Sequence, residues 1–174
     1  MTRPHVNLGK AYLDQERYEE AIEESRRALA LSSNLPRAHY NIGTAYLHRW
    51  EREEAIASYG RALEIDPRLM EAHNNLGTAY KQLGRYEKAI AAFREALAII
   101  DNAAVVHNMG SAFLSAAQYD SAGAYFQRAI AANPASRVSY EGLAKAYAKE
   151  HRFQSQIRTL LEALKRWPGH ERLQ

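Results

Sequence analysis

Cysteine is missing from all 174 residues, which excludes a disulfide framework, cysteine-based zinc sites and thiol chemistry together. Its absence leaves the redox compartment open. Charge of one sign is also scarce: 23 basic side chains face 20 acidic ones, and the formal excess of +3 is too small to argue for nucleic acid. The longest apolar runs, such as Ala96-Leu97-Ala98-Ile99-Ile100, fall far short of the ~20 residues that span a bilayer. Residues Met1 to Asn7 lack the apolar core of a signal peptide. No direct membrane insertion is expected; the chain reads as soluble, with the cytoplasm favoured. There is no glycine-rich phosphate loop, no His-Glu-x-x-His and no Gly-x-Ser-x-Gly. Neither catalysis nor a cofactor is expected. What the chain does have is apolar content, 47%, enough to bury a continuous core.

That content is periodic. Leu8-Gly9-x-x-Tyr12 recurs as Ile42-Gly43-x-x-Tyr46, Leu76-Gly77-x-x-Tyr80, Met109-Gly110-x-x-Phe113 and Leu143-Ala144-x-x-Tyr147, in steps of 34, 34, 33 and 34 residues. Twelve residues after each glycine stands Ala21, Ala55, Ala89 or Ala122, and the fifth copy breaks the rule with Gln156. Ala28, Ala62, Ala96, Ala129 and Ala163 follow, and Pro67, Pro134 and Pro168 close three copies.

Five copies in register at this period resemble the tetratricopeptide repeat, with frames at 2–35, 36–69, 70–102, 103–136 and 137–170 of a single domain, 1–174. Each frame holds two helical patterns separated by a short polar break such as Leu83-Gly84-Arg85. Small residues, as at Gly77 and Ala89, let paired helices approach closely, with Tyr80 and Phe93 filling the space beside them. Proline disfavours a helical residue before it, so Asp66-Pro67 ends one hairpin. A lone hairpin cannot bury its apolar face, and stacking must follow. The resemblance implies an all-α, right-handed superhelix of about five hairpins.

Departures from the pattern carry expectations of their own. The shortened third frame ends Ile99-Ile100-Asp101-Asn102 without proline, and a change of pitch is expected there. Ser25 stands where Tyr59, Phe93, Phe126 or Leu160 stand elsewhere, so the first hairpin should pack less well. Ala144 with Gln156 should push the fifth hairpin's helices apart.

The resemblance implies a concave wall made by the first helix of each hairpin, where partners bind. At the sixth repeat position stand Asn7, Asn41, Asn75 and Asn108, then Gly142. An asparagine amide offers both a donor and an acceptor, which suits an extended peptide backbone. The ladder is similar to those of peptide-binding tetratricopeptide domains, including the substrate-feeding superhelix of O-linked N-acetylglucosamine transferases, and Glu71-Ala72-His73-Asn74-Asn75-Leu76-Gly77 looks particularly like the repeats of that enzyme. The alternative is that the amides only cap or bridge helices. Arg3, Lys10, Arg37, Lys81, Lys145 and Lys149 outnumber Asp14, Glu71 and Glu141 around the ladder, favouring an acidic segment or a free C-terminal carboxylate over a basic one. An unremarkable solvated face is the competing reading. The peptide-binding set is thus Asn7, Lys10, Arg37, Tyr40, Asn41, Asn74, Asn75, Thr78, Lys81, His107, Asn108 and Lys145, with the side chains of Asn41, Asn75 and Asn108 expected to point at open space. Leu13, Leu47 and Leu114 are further apolar groove positions.

The carboxylate clamp of chaperone-binding relatives does not fit: it needs Lys and Asn where Val6 and Lys10 stand. His5, His39 and His73 share one repeat position and His107 lies near it, but neighbouring repeats are ~10 Å apart, too far to share a metal. They are expected to fill the space between repeats. Glu19-Glu20 and Glu53-Glu54 begin second helices, where they complement the helix dipole. Ile157, Leu160, Leu161 and Leu164 of the last helix should be partly uncovered, since the residues after Pro168 are too few for the family's usual covering helix. They are candidates for self-association into a homo-oligomer. Trp50 is either an exposed anchor or, the favoured reading, folded back onto the neighbouring helix. The function expected is a protein or peptide adaptor; the alternatives are an assembly scaffold and the substrate-recruiting arm of a larger enzyme.

Overall fold

A computed structural model describes residues 2–167, so Pro168 and the six residues after it lie outside the described residues. Ten helices and no strand are present among the described residues. They are α1 Thr2–Asp14, α2 Tyr18–Leu31, α3 Pro36–His48, α4 Arg52–Ile65, α5 Met70–Gln82, α6 Tyr86–Ile99, α7 Ala103–Ser115, α8 Tyr119–Ala132, α9 Arg137–Lys149 and α10 Phe153–Arg166. Two helices fall in each repeat frame. The chain divides into two compact units between Ile99 and Ile100, at the shortened boundary that lacks proline. Unit 1 holds α1–α6 and unit 2 holds α7–α10.

Every hairpin turns in the same way. Residues Glu16, Trp50, Gly84, Ala117 and His151 take left-handed backbone angles, with φ between 57° and 71°. In the first turn Glu16 N–H donates to the Leu13 carbonyl and Arg17 N–H to the Tyr12 carbonyl, both at 2.9 Å. That is the paired closure which satisfies the last carbonyls of a helix, and it recurs at all five turns. Only Gly84 meets the left-handed requirement without a Cβ penalty. The residue after the turn can add a stack: the guanidinium of Arg17 lies 4.5 Å from the Tyr12 ring centroid, and that of Arg152 lies 4.6 Å from Tyr147.

Between hairpins, Asp66 Oδ1 accepts from Arg68 N–H at 3.0 Å and Asn133 Oδ1 from Ala135 N–H at 3.1 Å, one residue past each proline. Where proline is lacking, Asn102 caps α7 by accepting from Ala104 N–H at 2.9 Å.

The helices of each pair meet through small residues. A Cβ built on Gly43 would lie 2.8 Å from the Tyr59 ring, one on Gly77 2.7 Å from Phe93, and one on Gly110 3.0 Å from Phe126. Those rings are fully buried, as are Ala21, Ala55, Ala89 and Ala122. In unit 2 Phe126 is pressed from a second side, since a Cβ on Gly142 would stand 2.5 Å from it. The asparagine series stops at Gly142 because the ring occupies the place of its side chain.

The first hairpin corrects the expectation of looser packing. A Cβ on Gly9 would be 2.6 Å from Ser25 Oγ and 3.5 Å from Asn41 Nδ2, so the helices close up and the Asn41 amide fills space that a ring takes elsewhere. The Ser25 hydroxyl is fully buried without a hydrogen-bond partner. In the fifth hairpin a cavity of about 270 Å³ opens among α8, α9 and α10, lined by Tyr140, Leu143, Tyr147 and Thr159. Gln156 is half-buried beside Ser155.

Trp50 does not fold back on a neighbouring helix; it is 66% exposed, and the Arg52 guanidinium covers it at 4.4 Å from its ring centroid. Arg52 is itself held by Gln82 of α5, at 3.1 Å, which keeps the indole outward. Three histidines make separate contacts: His5 with Glu24 of α2 at 2.8 Å, His73 with the Pro67 carbonyl in the turn before its own helix at 3.0 Å, and His107 with Ser139 of α9 at 3.1 Å. Burial pushes His39 below its ordinary value.

The ring contact of Gly77 should be intolerant of volume. Gly77→Val is expected to destabilise by roughly 1–3 kcal/mol through overpacking on Phe93. Gly60, whose Cβ would meet nothing within 4 Å, should gain about 0.5–1 kcal/mol on replacement by Ala. Urea denaturation of the two variants compares them directly, and equal midpoints would count against the close-approach account.

Acid should loosen the first hairpin. The hydrogen bond from His5, aided by the charge of Arg27 and partly opposed by burial, holds the Glu24 carboxyl below its ordinary 4.5. A depressed carboxylate contributes stability that is present above 4.5 and lost as the pH falls through the lower folded value. The parent's unfolding midpoint should therefore drop more steeply below pH about 4.5 than that of Glu24→Gln. Parallel acid profiles would refute the assignment.

Candidate functional site

The residues singled out for binding fall in both units, and each unit carries its own share. In unit 1 they lie on α1, α3 and α5, the first helices of three hairpins; α3 touches both α1 and α5. Asn7, Lys10 and Arg37 are exposed, while Tyr40, Asn74, Asn75, Thr78 and Lys81 are half-buried. In unit 2 His107 and Asn108 line a small cleft of about 160 Å³ with Ser136 and Val138, and Lys145 is exposed on α9.

The expectation that the asparagines stand free is corrected for Asn41 and Asn75. Asn41 is 3% exposed, and its amide donates to the Val6 carbonyl of α1 at 3.0 Å. Its Nδ2 and Ser25 Oγ approach the same point, 3.5 and 2.6 Å from where a Cβ on Gly9 would stand. Asn75 donates to the Tyr40 hydroxyl of α3 at 3.2 Å and is met on its other side by Asn74, whose amide donates to Asn75 Oδ1 at 3.2 Å. Both amides therefore join successive repeats. Asn108 also has an interaction partner. Asn7, at the start of the series, is exposed.

These bonds belong to a small polar network. The Tyr40 ring lies 5.9 Å from that of Tyr59, whose hydroxyl donates to Thr44 Oγ1 at 3.2 Å. Thr44 in turn donates to the Tyr40 carbonyl at 3.0 Å, and Thr78 to the Asn74 carbonyl at 3.1 Å. Burial raises the Tyr59 hydroxyl far above its usual value, so it stays a neutral donor. The network fixes Tyr40 and Asn75, and Asn74 and Thr78 stand half-buried beside them.

Charge on this face is partly neutralised. Lys10 Nζ lies 3.2 Å from Asp14 one turn away, and Arg37 lies 3.8 Å from Glu71 of the next repeat. Both are exposed pairs, of the kind that contributes little to stability and exchanges easily. Burial lowers the Lys81 ammonium from its ordinary value, so this charge is incompletely solvated. In unit 2, Glu141 is held by Arg137 at 2.8 Å, a base that the sequence count of groove charges left out.

Two participants escaped the sequence reading. Thr44 shares the register of Thr78, one repeat on, and that equivalence was the signal for it. Ser139 had one: it stands where Ala38 and Ala72 stand, and a hydroxyl in a fully buried alanine register must find a partner. His107 and Ser136, at 3.1 and 2.8 Å, supply it.

No helix among the described residues is long and apolar enough to cross a membrane. No curated protein matches the chain. Among solved structures, MamA 41-end from Desulfovibrio magneticus RS-1 superposes with a TM-score of 0.89 at 15% identity, covering 98% of this chain and 97% of that one. The pilF protein of Pseudomonas aeruginosa gives 0.83 at 23%, covering 94% and 75%. YrrB, described as a TPR protein with an unusual peptide-binding site, gives 0.82 at 19%, covering 98% and 88%. At such identities the likeness is one of fold. Family models described as TPR repeat match residues 9–48 and 51–84, and models described as tetratricopeptide repeat match 71–102 and 107–171. Spanning nearly the whole sequence, these matches place the chain in the tetratricopeptide-repeat family.

Proposed function

We propose that the α1–α3–α5 face of unit 1 binds an extended, acidic protein segment, and that the chain works as an interaction module without chemistry of its own. What supports this reading is that Lys10, Arg37 and Lys81 stand on α1, α3 and α5, the same helices that carry the half-buried Asn74 and Thr78 and the anchored Tyr40. The anchored residues cost little further entropy on binding, and the charges select the partner. The family's habit of protein recognition supports it, as does the peptide-binding site described for YrrB, a relative in fold. Asn41 and Asn75 act behind the surface: they hold the repeats in the spacing that Tyr40 and Asn74 need.

Arg37 and Lys81 would meet carboxylates of the ligand, Arg37 releasing Glu71 and Lys81 exchanging the interaction it already makes, and Asn74 and Thr78 would meet its backbone. A charge-assisted hydrogen bond is worth about 1.5–3 kcal/mol, and the loss of two such contacts should weaken binding by at least a hundredfold, at about 1.4 kcal/mol per tenfold.

Phage-displayed peptides selected on the protein provide the test. Acidic sequences should be enriched, bind more weakly as salt rises, and lose affinity to Arg37→Ala with Lys81→Ala at unchanged stability. Comparing each acidic peptide with its C-terminal amide tells an internal segment from a free carboxylate. Enriched peptides that are basic, or that bind the double variant as tightly as the parent, would refute the proposal.

The asparagines should divide by role. Asn41→Ala is expected to lower stability by about 1 kcal/mol, the net value of one hydrogen bond, and Asn74→Ala to lower affinity without that loss. Melting curves read beside a titration with a selected acidic peptide settle the division; a stable Asn41→Ala would contradict it.

A further inference from the structure

We propose that copies of this chain stack head to tail, α10 of one copy taking α1 of the next in the same register that joins consecutive hairpins inside the chain. Within unit 1, α2 meets the following helix α3 through four positions. Tyr18 stacks on His48 with ring centroids 5.2 Å apart, Ile22 is buried in a cluster with Ala45, Arg26 donates to the Tyr46 hydroxyl at 2.9 Å, and Leu29 lies beside Ile42. Within unit 2, α8 repeats this on α9: Gly123 faces Leu143 and Tyr147, Gln127 donates to Tyr147 at 2.7 Å, and Ile130 packs on the same cluster.

The corresponding positions of α10 are Phe153, Ile157, Leu161 and Leu164, which are 55, 50, 54 and 39% exposed. A shallow recess of about 400 Å³ is lined by Ile157 and Leu161 together with Gln154, Arg158, Glu162 and Lys165. The four-residue set is more apolar than its equivalents on α2 and α8, with leucine in place of Arg26 and Gln127. Leu160, expected to be partly uncovered with them, is half-buried and stands in the register of Phe126.

The complementary half is at the other edge. Helix α1 carries Leu8 in the register of Ile42 and Leu143. Leu8 is 40% exposed, whereas those two are 7 and 6% exposed beneath the preceding helix. Ala11, in the register of the fully buried Ala45 and Ala146, is likewise partly open. One edge thus presents the apolar row of a second helix and the other the slot of a first helix, which continues the interface already built at α2–α3 and α8–α9. Such a contact is heterologous: it uses two different patches and does not close on itself in a pair.

Edge variants of the full chain, weighed by light scattering and sedimentation, test this. The parent should gain mass with concentration. Leu161→Glu and Leu8→Glu should each stay monomeric, since every contact needs one of each edge, and both should melt as the parent does because the altered side chains are exposed. Mixed, they should form a one-to-one dimer and nothing larger, through the intact α10 edge of Leu8→Glu and the intact α1 edge of Leu161→Glu. A parent that stays monomeric throughout would overturn the proposal. So would a Leu8→Glu variant that still assembles, which marks an α10-to-α10 contact, or a mixture that fails to pair.

Discussion

Two helix backbones can lie this close only where one of them has no side chain in the way. At Gly43, Gly77 and Gly110 the missing Cβ is replaced by the face of a buried ring from the partner helix. That contact sets the spacing within a hairpin, and the spacing decides which residues of the first helix remain at the surface. The first and fifth hairpins keep the geometry by different means. In the first, a serine and a borrowed asparagine amide substitute for the ring; in the fifth, a cavity remains among α8, α9 and α10. Repeats in a solenoid are stabilised by their neighbours, so a local shortfall is carried by the adjoining interface.

The asparagine series illustrates the same economy at the candidate site. One side chain with both a donor and an acceptor can tie repeats together or meet a ligand, and its depth decides which. Asn41 is committed to the Val6 carbonyl. Asn75 is committed to Tyr40, and its half-buried neighbour Asn74 donates to Asn75 Oδ1. A ligand on this face would meet ordered groups with little freedom to lose.

Much of this was legible in the sequence because the repeat sets its own phase. Gly77, Ala89 and Phe93 recur at fixed offsets, and small and large residues at those offsets have one physical use, so the helices and their pairing followed. The uncovered row Ile157, Leu161 and Leu164 could be read for the same reason. The depth of Asn41 could not, since it depends on the volume of Ser25 in a different helix, and pattern alone says nothing of how far a side chain sinks into a gap. Trp50 was misjudged because its surroundings are set by Arg52 and Gln82, thirty residues apart in the chain. Ser139 was a readable case left unread, a hydroxyl in an alanine column.

The chain's two tryptophans fall one to each unit, and their settings differ. Trp50 projects from a left-handed turn into water under a guanidinium, whereas Trp167 is half-buried with its ring 5.6 Å from that of Tyr140. An indole already in solvent changes its emission little when the chain around it melts, while one leaving an aromatic neighbour shifts to the red. Intrinsic fluorescence of this protein is therefore a spectroscopic report on unit 2, against which circular dichroism of all ten helices can be read to time the melting of unit 1.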